Sequence, residues 1–407
     1  MQNCAALPIL VLSFATVLVR SGIGMLCCFF IVCVMEVRAN AEPVSCHRVH
    51  SISRMNYHLI LTLDYEVFGN GSGCLCHCVV EPVDKVLALL EEYAAGLHCF
   101  VDATEFAAMS AHADHRDAPF DVRCLSRVEE QIATLGSAPH SVQLHIHPQW
   151  IGASVREGKW LLDYDRWRIG NLPRREIDHA ITSGIRFLER HIDRSDERNC
   201  QCFRAGGWGI QPAAEVLSSL AQHGVRMDST VAPGTRNRAQ GDWFDFRRAP
   251  DTPYWYSDTD ILLHSGSGVL EVPITTARLG RVAHAKILRE SRNSGFPTGC
   301  SGSYDGPNSR LQSLAGKLGK LANMGVVMLD FSTLPAWALI EITQRYMSRF
   351  SAANGPIPIV AIGHNKNFSR WSEINLRQYL EWVAGQSELT FSSYSKWFVA
   401  ATSGRAV

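Results

Sequence analysis

From residue 57 onwards, short runs rich in β-branched and aromatic residues alternate with longer amphipathic stretches, and this alternation restricts the fold more than any other feature. Strands are predicted at 58–63, 97–101, 141–146, 201–205, 225–229, 261–265, 270–275, 326–331 and 358–363. Helices are predicted at 82–95, 103–112, 121–135, 171–192, 211–223, 309–322, 335–349 and 370–384. Such alternation favours an α/β fold with a mostly parallel sheet, open or closed into a barrel, and a functional site at the carboxyl ends of the strands.

The charge balance and the absence of certain motifs exclude several classes of function. Lys and Arg total 39, as do Asp and Glu, so the formal net charge is zero. A chain without a broad positive field is not expected to bind nucleic acid. The sequence contains no glycine-rich phosphate loop and no G-x-S-x-G turn, which disfavours nucleotide binding and serine hydrolysis.

Residues 1–54 are predicted to form an N-terminal apolar extension to a catalytic region at 55–400. Two apolar runs, 7–19 and 23–35, are each shorter than the roughly 20 residues that a membrane span requires. The later "RANAEP" has the small-x-small pattern of a signal-peptidase site, but no basic segment precedes the apolar stretch.

Three interpretations of this extension remain: an export signal, a membrane anchor through 7–35, or an upstream extension with the working protein starting near Met55. We favour the third, which predicts a cytoplasmic protein, whereas the other two predict an exported or anchored one. Nine cysteines lie beyond residue 45, an odd number, and several stand in apolar contexts such as "LHCFV". This usage fits a reducing compartment better than a disulfide framework.

Two predicted strands end in pairs of side chains that could share one metal ion. "LTLDYE" ends in Asp64 and Glu66, and "LHIHP" contains His145 and His147. Residues i and i+2 of an extended strand leave the same face, about 6 to 7 Å apart along the chain. Two imidazoles and a carboxylate match the ligands of catalytic zinc and non-haem iron. The alternative is that the acids are solvated and the histidines are structural.

Two further strand exits carry candidate functional groups. "CFRAGGWG" places Arg204 at the end of one strand, followed by Gly206 and Gly207, which allow a close approach of the backbone to a ligand, and by Trp208. "IVAIGH" places His364, a titratable group that could donate a proton, at the end of another. A turn of glycines and a structural histidine are the alternative interpretations.

Two weaker candidates have structural explanations. Asp102 is predicted to cap the helix that begins near Thr104. "CLCHC" at 74–78 spaces its cysteines too closely for an ordinary zinc site and is predicted to be a loop.

In order, the "LDYE", "HIHP", "FRAGG" and "IGHNKNF" motifs resemble those of the polysaccharide deacetylase family, specifically a divergent branch found in surface-polysaccharide and O-antigen gene clusters. The resemblance covers about residues 57–400. The sequence differs from the common family pattern in two places. Tyr65 separates the two acids, which are adjacent in the common pattern, and the two histidines are two residues apart instead of four.

The resemblance implies a distorted (β/α) barrel that uses a divalent metal, usually zinc, to remove an acetyl group from an N-acetylated sugar. It implies Asp64 as general base, His364 as general acid and Arg204 as the residue that orients the base. It assigns the metal to Glu66, His145 and His147, and we expect the substrate near Trp150, Gly206, Gly207 and Trp208.

Three other functions remain open at this stage. The first is a metal-dependent hydrolase of another non-peptide C–N bond, since a fold does not determine a substrate. The second is an inactive sugar-binding homologue, and the third is a membrane-anchored scaffold.

Overall fold

The computed structural model describes residues 57–237, 243–302 and 325–403. The strands within these ranges are β1 Tyr57–Tyr65, β2 His98–Asp102, β3 Ser141–Ile146, β4 Ser154–Arg156, β5 Lys159–Leu161, β6 Cys202–Ala205, β7 Met227–Asp228, β8 Arg236–Asn237, β9 Phe244–Asp245, β10 Trp255–Ser257, β11 Val269–Glu271, β12 Thr276–Arg278, β13 Val326–Met328, β14 Ile357–His364 and β15 Leu389–Phe391. The α-helices are α1 Glu81–Glu91, α2 Ala103–Ala111, α3 Val122–Leu135, α4 Arg174–Leu188, α5 Ala214–Gln222, α6 Arg281–Glu290, α7 Ala336–Arg349, α8 Arg370–Ala384 and α9 Tyr394–Ser403.

The main sheet contains nine of these strands. Eight follow the order β10-β11-β7-β6-β3-β2-β1-β14, and β15 pairs with the start of β1. All neighbours are parallel except β10 and β11. Every residue of β1, "YHLILTLDY", is buried, as expected for a central strand of a parallel sheet covered on both faces.

The register of the parallel strands brings the predicted site residues to one edge. Asp64 of β1 lies opposite His364 of β14, and His145 of β3 lies between Asp102 of β2 and Arg204 of β6. Because helices cross over between the parallel strands of the main sheet, these strands all run in the same direction, and their carboxyl ends meet at one edge.

The sheet is curled, and the segment after β11 connects its two sides. The Val272 and Ile274 amides donate to the Asp228 and Val231 carbonyls beside β7, at 2.8 Å each. The next amide, that of Thr275, donates to the Val360 carbonyl of β14 at 3.0 Å. Because β7 and β14 are separated by four strands, these contacts require curvature. Among the described residues the strand pairing itself stays open, so the predicted barrel is confirmed only as a curled, mainly parallel α/β sheet.

Most predicted elements are present, and the exceptions have tertiary causes. The apolar run 261–265 forms a turn in place of a strand, and only 326–328 of the run 326–331 is a strand, paired antiparallel with β12 outside the main sheet. Sequence reasoning missed the helices α6 and α9 and the strands β4, β5, β8, β9, β10, β12 and β15. The predicted helix at 309–322 lies outside the described residues.

The amphipathic helices cover the sheet with their apolar faces. On α4 the predicted stripe is buried, with Ile177 and Ile181 fully enclosed and Ile185 nearly so. Gly184 on the same face lets α4 approach β3, because a Cβ there would lie 3.0 Å from a methyl of Leu144. The position of α4 therefore depends on close packing as well as on burial of apolar area.

Two disulfides join distant parts of the chain. Cys76 pairs with Cys124 and Cys78 with Cys300, at sequence separations of 48 and 222 residues. The segment predicted to be a loop around these cysteines is instead a turn of π-helix, Cys76–Val80. The expectation of reduced thiols is wrong for these four residues, because only the fold brings their partners together.

The predictions for the N-terminal extension, including a start near Met55 and an anchor through 7–35, concern residues outside the described ranges. Among the described helices, none combines the length and the apolar character needed to cross a bilayer.

The contact of Gly363 with Phe331 gives a test of the packing beneath the site. A Cβ at Gly363 would lie 2.3 Å from the Phe331 ring, which is fully buried. We expect Gly363→Ala to lower the free energy of unfolding by about 1–3 kcal/mol, because overpacking a rigid core forces side chains out of their preferred rotamers. Urea denaturation measures this difference.

Gly266→Ala is the matched control. No atom lies within 4 Å of its Cβ position, so its free energy of unfolding should change by less than about 0.5 kcal/mol. Equal midpoints for the two variants would show that the packing around β14 is looser than described.

Candidate metal centre and its acid–base partners

The acid pair at the end of β1, Asp64 within the strand and Glu66 directly after it, lies at the carboxyl edge of the sheet and is buried. Asp64 and Glu66 are 4% and 3% exposed, so the alternative that these acids are solvated is wrong. Their side chains leave the same face of the extended chain, as the spacing predicts. Two adjacent carboxylates can remain buried and ionised only where neighbouring cations compensate them.

Glu66, His145 and His147 converge at this edge. Their ligand atoms lie within 4.8 Å of one another, and all three residues are buried. The two imidazole rings stand edge to face, 4.8 Å apart between ring centres. The fold therefore brings together the three residues that the sequence analysis assigns to the metal.

The ring of His145 is oriented with one nitrogen towards Glu66. Its Nδ1 donates to the Arg204 carbonyl at 2.7 Å, which directs Nε2 to within 3.5 Å of Glu66 Oε2. Neither Nε2 nor Oε2 has a hydrogen-bond partner among the residues that the structure describes. Two buried acceptor atoms that face each other fit a shared cation, which removes the cost of leaving both unsatisfied.

The pKa shifts of His145 and Glu66 also favour a cation at this position. Burial lowers the pKa of His145, but Asp64 and Glu66 outweigh this effect and raise it. Burial raises the pKa of Glu66, whereas Lys366 and His147 hold it well below its ordinary value. The site therefore attracts positive charge, whether carried by a proton or by a metal.

His147 is held by Asp102 and by Gly206. Its Nδ1 lies 2.8 Å from Asp102 Oδ2 and 3.1 Å from Glu66 Oε2. Asp102 Oδ1 also accepts from the amides of Thr104 and Glu105, so the predicted helix cap is confirmed, and the same carboxylate orients the ring. A Cβ at Gly206 would lie 2.3 Å from His147 Cδ2, so only glycine leaves room for the ring.

Arg204 forms a buried ion pair with Asp64. The Nη1 to Oδ1 distance is 2.5 Å, and the remaining guanidinium nitrogens donate to the Ser229 carbonyl at 2.9 Å and to Thr62 Oγ1 at 3.1 Å. The guanidinium also lies 4.0 Å above the Phe100 ring. Burial raises the pKa of Asp64, but Arg204 and the nearby imidazoles outweigh it, so that pKa is lowered.

His364 lies beside Asp64, as the strand register requires. Its Nε2 is 3.5 Å from Asp64 Oδ2, which is too long for a hydrogen bond, and its Nδ1 is unpartnered within the described ranges. Asp64, Glu66 and His364 form a second group with ligand atoms within 4.8 Å of one another. The base, the acid and the metal ligands predicted from the sequence are therefore adjacent.

Of the residues expected near the substrate, Trp150 lies in the core, whereas Gly206, Gly207 and Trp208 form the turn after β6. Trp150 is 1% exposed and packs against Trp160 at 5.1 Å, so the structure gives it a packing position instead of a place in the cleft. Gly207, at φ +57°, places its backbone against Trp167, and Trp208 is half-buried against Phe244. Gly206 accommodates His147, as described above.

Four residues near the site were missed or given another role by sequence reasoning. Trp167 lies 5.9 Å from the His147 ring between ring centres, and Asp102 was predicted only as a cap. Asn365 and Lys366 follow His364, and both bond to Glu66. Their place directly after a predicted site residue was the available signal, but nothing in the sequence pairs them with a residue 300 positions earlier.

No known protein-family model matches the sequence, and no curated protein matches it. Among solved structures, the chain is similar to a proposed polysaccharide deacetylase from Mycobacterium smegmatis, with a TM-score of 0.48 and 14% identity over 90% of this chain and 96% of the other. It is also similar to the PuuE allantoinase, with a TM-score of 0.45 and 10% identity over 87% and 93% of the two chains. TM-scores below 0.5 do not establish a family.

The convergence of Glu66, His145 and His147 predicts that the purified protein binds a divalent metal. We expect His145→Ala and His147→Ala each to lower zinc affinity at least about tenfold, since each removes one of three ligands. Elemental analysis and competition with a chelator measure this.

His179→Ala, on the exposed face of α4, is the control and should bind zinc as the unmodified protein does. If all three variants retain a tightly held ion, the ion binds elsewhere.

Proposed function

We propose that this protein is a metal-dependent hydrolase that removes an acetyl group from an N-acetylated sugar. The observation that carries this proposal is the single cluster at the carboxyl edge of the sheet, where a candidate metal set adjoins a buried carboxylate and a histidine. The order of motifs that resembles the polysaccharide deacetylase family supports the choice of reaction, and extends the proposal to a distorted barrel of that type.

Glu66, His145 and His147 are the residues that would hold the metal. Two imidazoles and one carboxylate form the ligand set of many catalytic zinc sites, which leave positions open for water and substrate. A divalent ion bound there would supply a Lewis acid for the amide carbonyl and would lower the pKa of water.

Asp64 is placed to act as the general base. Its lowered pKa keeps it ionised at neutral pH, and the cause is chiefly the Arg204 guanidinium beside it. Arg204 also fixes the direction of the carboxylate, because its own nitrogens are held by Ser229 and Thr62. One Asp64 oxygen faces Arg204, and the other is directed towards His364 and can accept a proton from an attacking water.

His364 is placed to act as the general acid. It ends β14 directly opposite Asp64, and its side chain is 15% exposed, so it borders the cleft. When protonated, it can transfer a proton to the departing amine, which would otherwise leave as a poor anionic group.

The aromatic residues beside the site favour a sugar as the substrate. Trp167 is half-buried next to His147, and Tyr164 lies 6.3 Å from Trp167 with 45% of its surface exposed. Exposed aromatic rings offer apolar faces to the C–H groups of a sugar ring and polar edges to its hydroxyls. We place surface-polysaccharide precursors among the substrates on the basis of the motif resemblance.

Asp64→Asn tests the proposed base. Removal of the proton acceptor should lower deacetylation at least about 10²-fold, while the bound metal remains, because Asp64 is not in the Glu66 set. Acetate release and metal content are measured on the same preparation, with thermal unfolding to confirm the fold.

The exposed Asp258→Asn is the matched control and should retain full activity. Loss of the ion together with activity in Asp64→Asn would instead assign Asp64 as a ligand.

The substrate class requires a direct assay. Acetate release is measured from nucleotide-linked and polymeric N-acetyl sugars, and ammonia or amine release from ureides and small amides is measured in parallel. Acetate from a sugar supports the proposal. Release only from the small amides would support the alternative C–N hydrolase, and sugar binding without turnover or metal would support an inactive homologue.

A further inference from the structure

Lys366 is a buried cation that no step of the proposed reaction uses. Its Nζ donates to Glu66 Oε1 at 2.7 Å and to the Val67 carbonyl at 3.0 Å, and the residue is 6% exposed. We propose that Lys366 is an internal counter-ion of the metal centre, which stabilises Glu66 before a metal binds and weakens the binding of that metal. This inference rests on the proposed function, because it assumes that Glu66 is a ligand.

The position of Lys366 is set by its neighbour. Asn365 is fully buried and bonds to the backbone of Glu66 on both sides: it accepts from the Glu66 amide at 3.0 Å and donates to the Glu66 carbonyl at 2.8 Å. It also donates to the Cys78 carbonyl at 2.6 Å. These bonds fasten the turn after β14 to the chain after β1 and so hold the backbone of Lys366 beside Glu66.

Lys366 and the two histidines face different oxygens of the Glu66 carboxylate. Lys366 takes Oε1, whereas Oε2 faces His145 and His147 and has no hydrogen-bond partner in the described part of the chain. Glu66 can therefore offer a metal one oxygen while Lys366 remains in place. The lysine also satisfies a carboxylate that would otherwise be buried without compensation.

The two effects act in the same direction on metal affinity. In the metal-free protein, Lys366 lowers the free energy of the buried carboxylate, so a metal gains less by compensating it. In the metal-bound protein, a positive charge close to the ion repels it in a medium of low dielectric constant. Removal of the lysine charge should therefore destabilise the metal-free protein and strengthen metal binding.

Two variants separate charge from positioning. Lys366→Met removes the charge and the donor, whereas Lys366→Gln removes the charge but keeps an amide donor for Oε1. We expect both to bind Zn²⁺ and Co²⁺ at least about tenfold more tightly than the unmodified protein. We also expect metal-free Lys366→Met to unfold at a lower temperature and to gain more on metal addition. Calorimetric titration with chelator competition and thermal unfolding are measured at one pH.

Lys159→Met, at an exposed lysine of β5, is the control and should leave both quantities unchanged. Weaker or unchanged binding in the two Lys366 variants, with clear binding by the unmodified protein, would overturn the counter-ion inference and leave the proposed metal centre intact. Tighter binding by Lys366→Gln but not by Lys366→Met would attribute the effect to the retained amide donor instead of the lost charge, and would also overturn the counter-ion inference. Absence of binding in every variant would overturn the metal centre and this inference together.

Discussion

The compensation of two buried carboxylates is the interaction on which the rest of the site depends. Asp64 lies in β1 and Glu66 directly follows it, and neither has enough contact with water to remain ionised unaided. The fold places a separate buried cation beside each acid: Arg204 pairs with Asp64, and Lys366 pairs with Glu66. This division supports the different roles that we propose for the two acids, Asp64 as a base and Glu66 as a metal ligand with one oxygen that Lys366 does not contact.

A second buried acid pair shows that this arrangement is specific to its surroundings. Asp228 and Glu271 lie opposite each other on β7 and β11 and are fully buried. Burial raises the pKa of both, and for Glu271 the neighbouring Asp228 raises it further. The direction is opposite to that for Asp64 and Glu66, whose pKa values are lowered. The Arg204 guanidinium opposes this rise but bonds to Asp64, and burial that is not compensated by a bonded cation favours the uncharged form of an acid.

Much of the site could be predicted because polar residues that directly follow buried strands are conspicuous in a sequence. The exits of β1, β3, β6 and β14 were located from their apolar runs, and parallel strands place such exits together. Positions within the core were harder to predict. Trp150 follows the histidine motif yet packs against Trp160, and the apolar run 261–265 is a turn. Burial of a tryptophan and pairing of a short strand both depend on neighbours far away in the sequence.

The sequence by itself determined the alternating α/β architecture, the central parallel strands and which acids, imidazoles and arginine stand at strand ends, because hydrophobic periodicity and residue spacing are local properties. Only the tertiary structure decided which side chains compensate one another. The register of β1 with β14 brings Lys366 to Glu66, the order β2-β3-β6 places His145 between Asp102 and Arg204, and the disulfides join cysteines up to 222 residues apart. These pairings follow from distances in space, which a linear pattern does not encode.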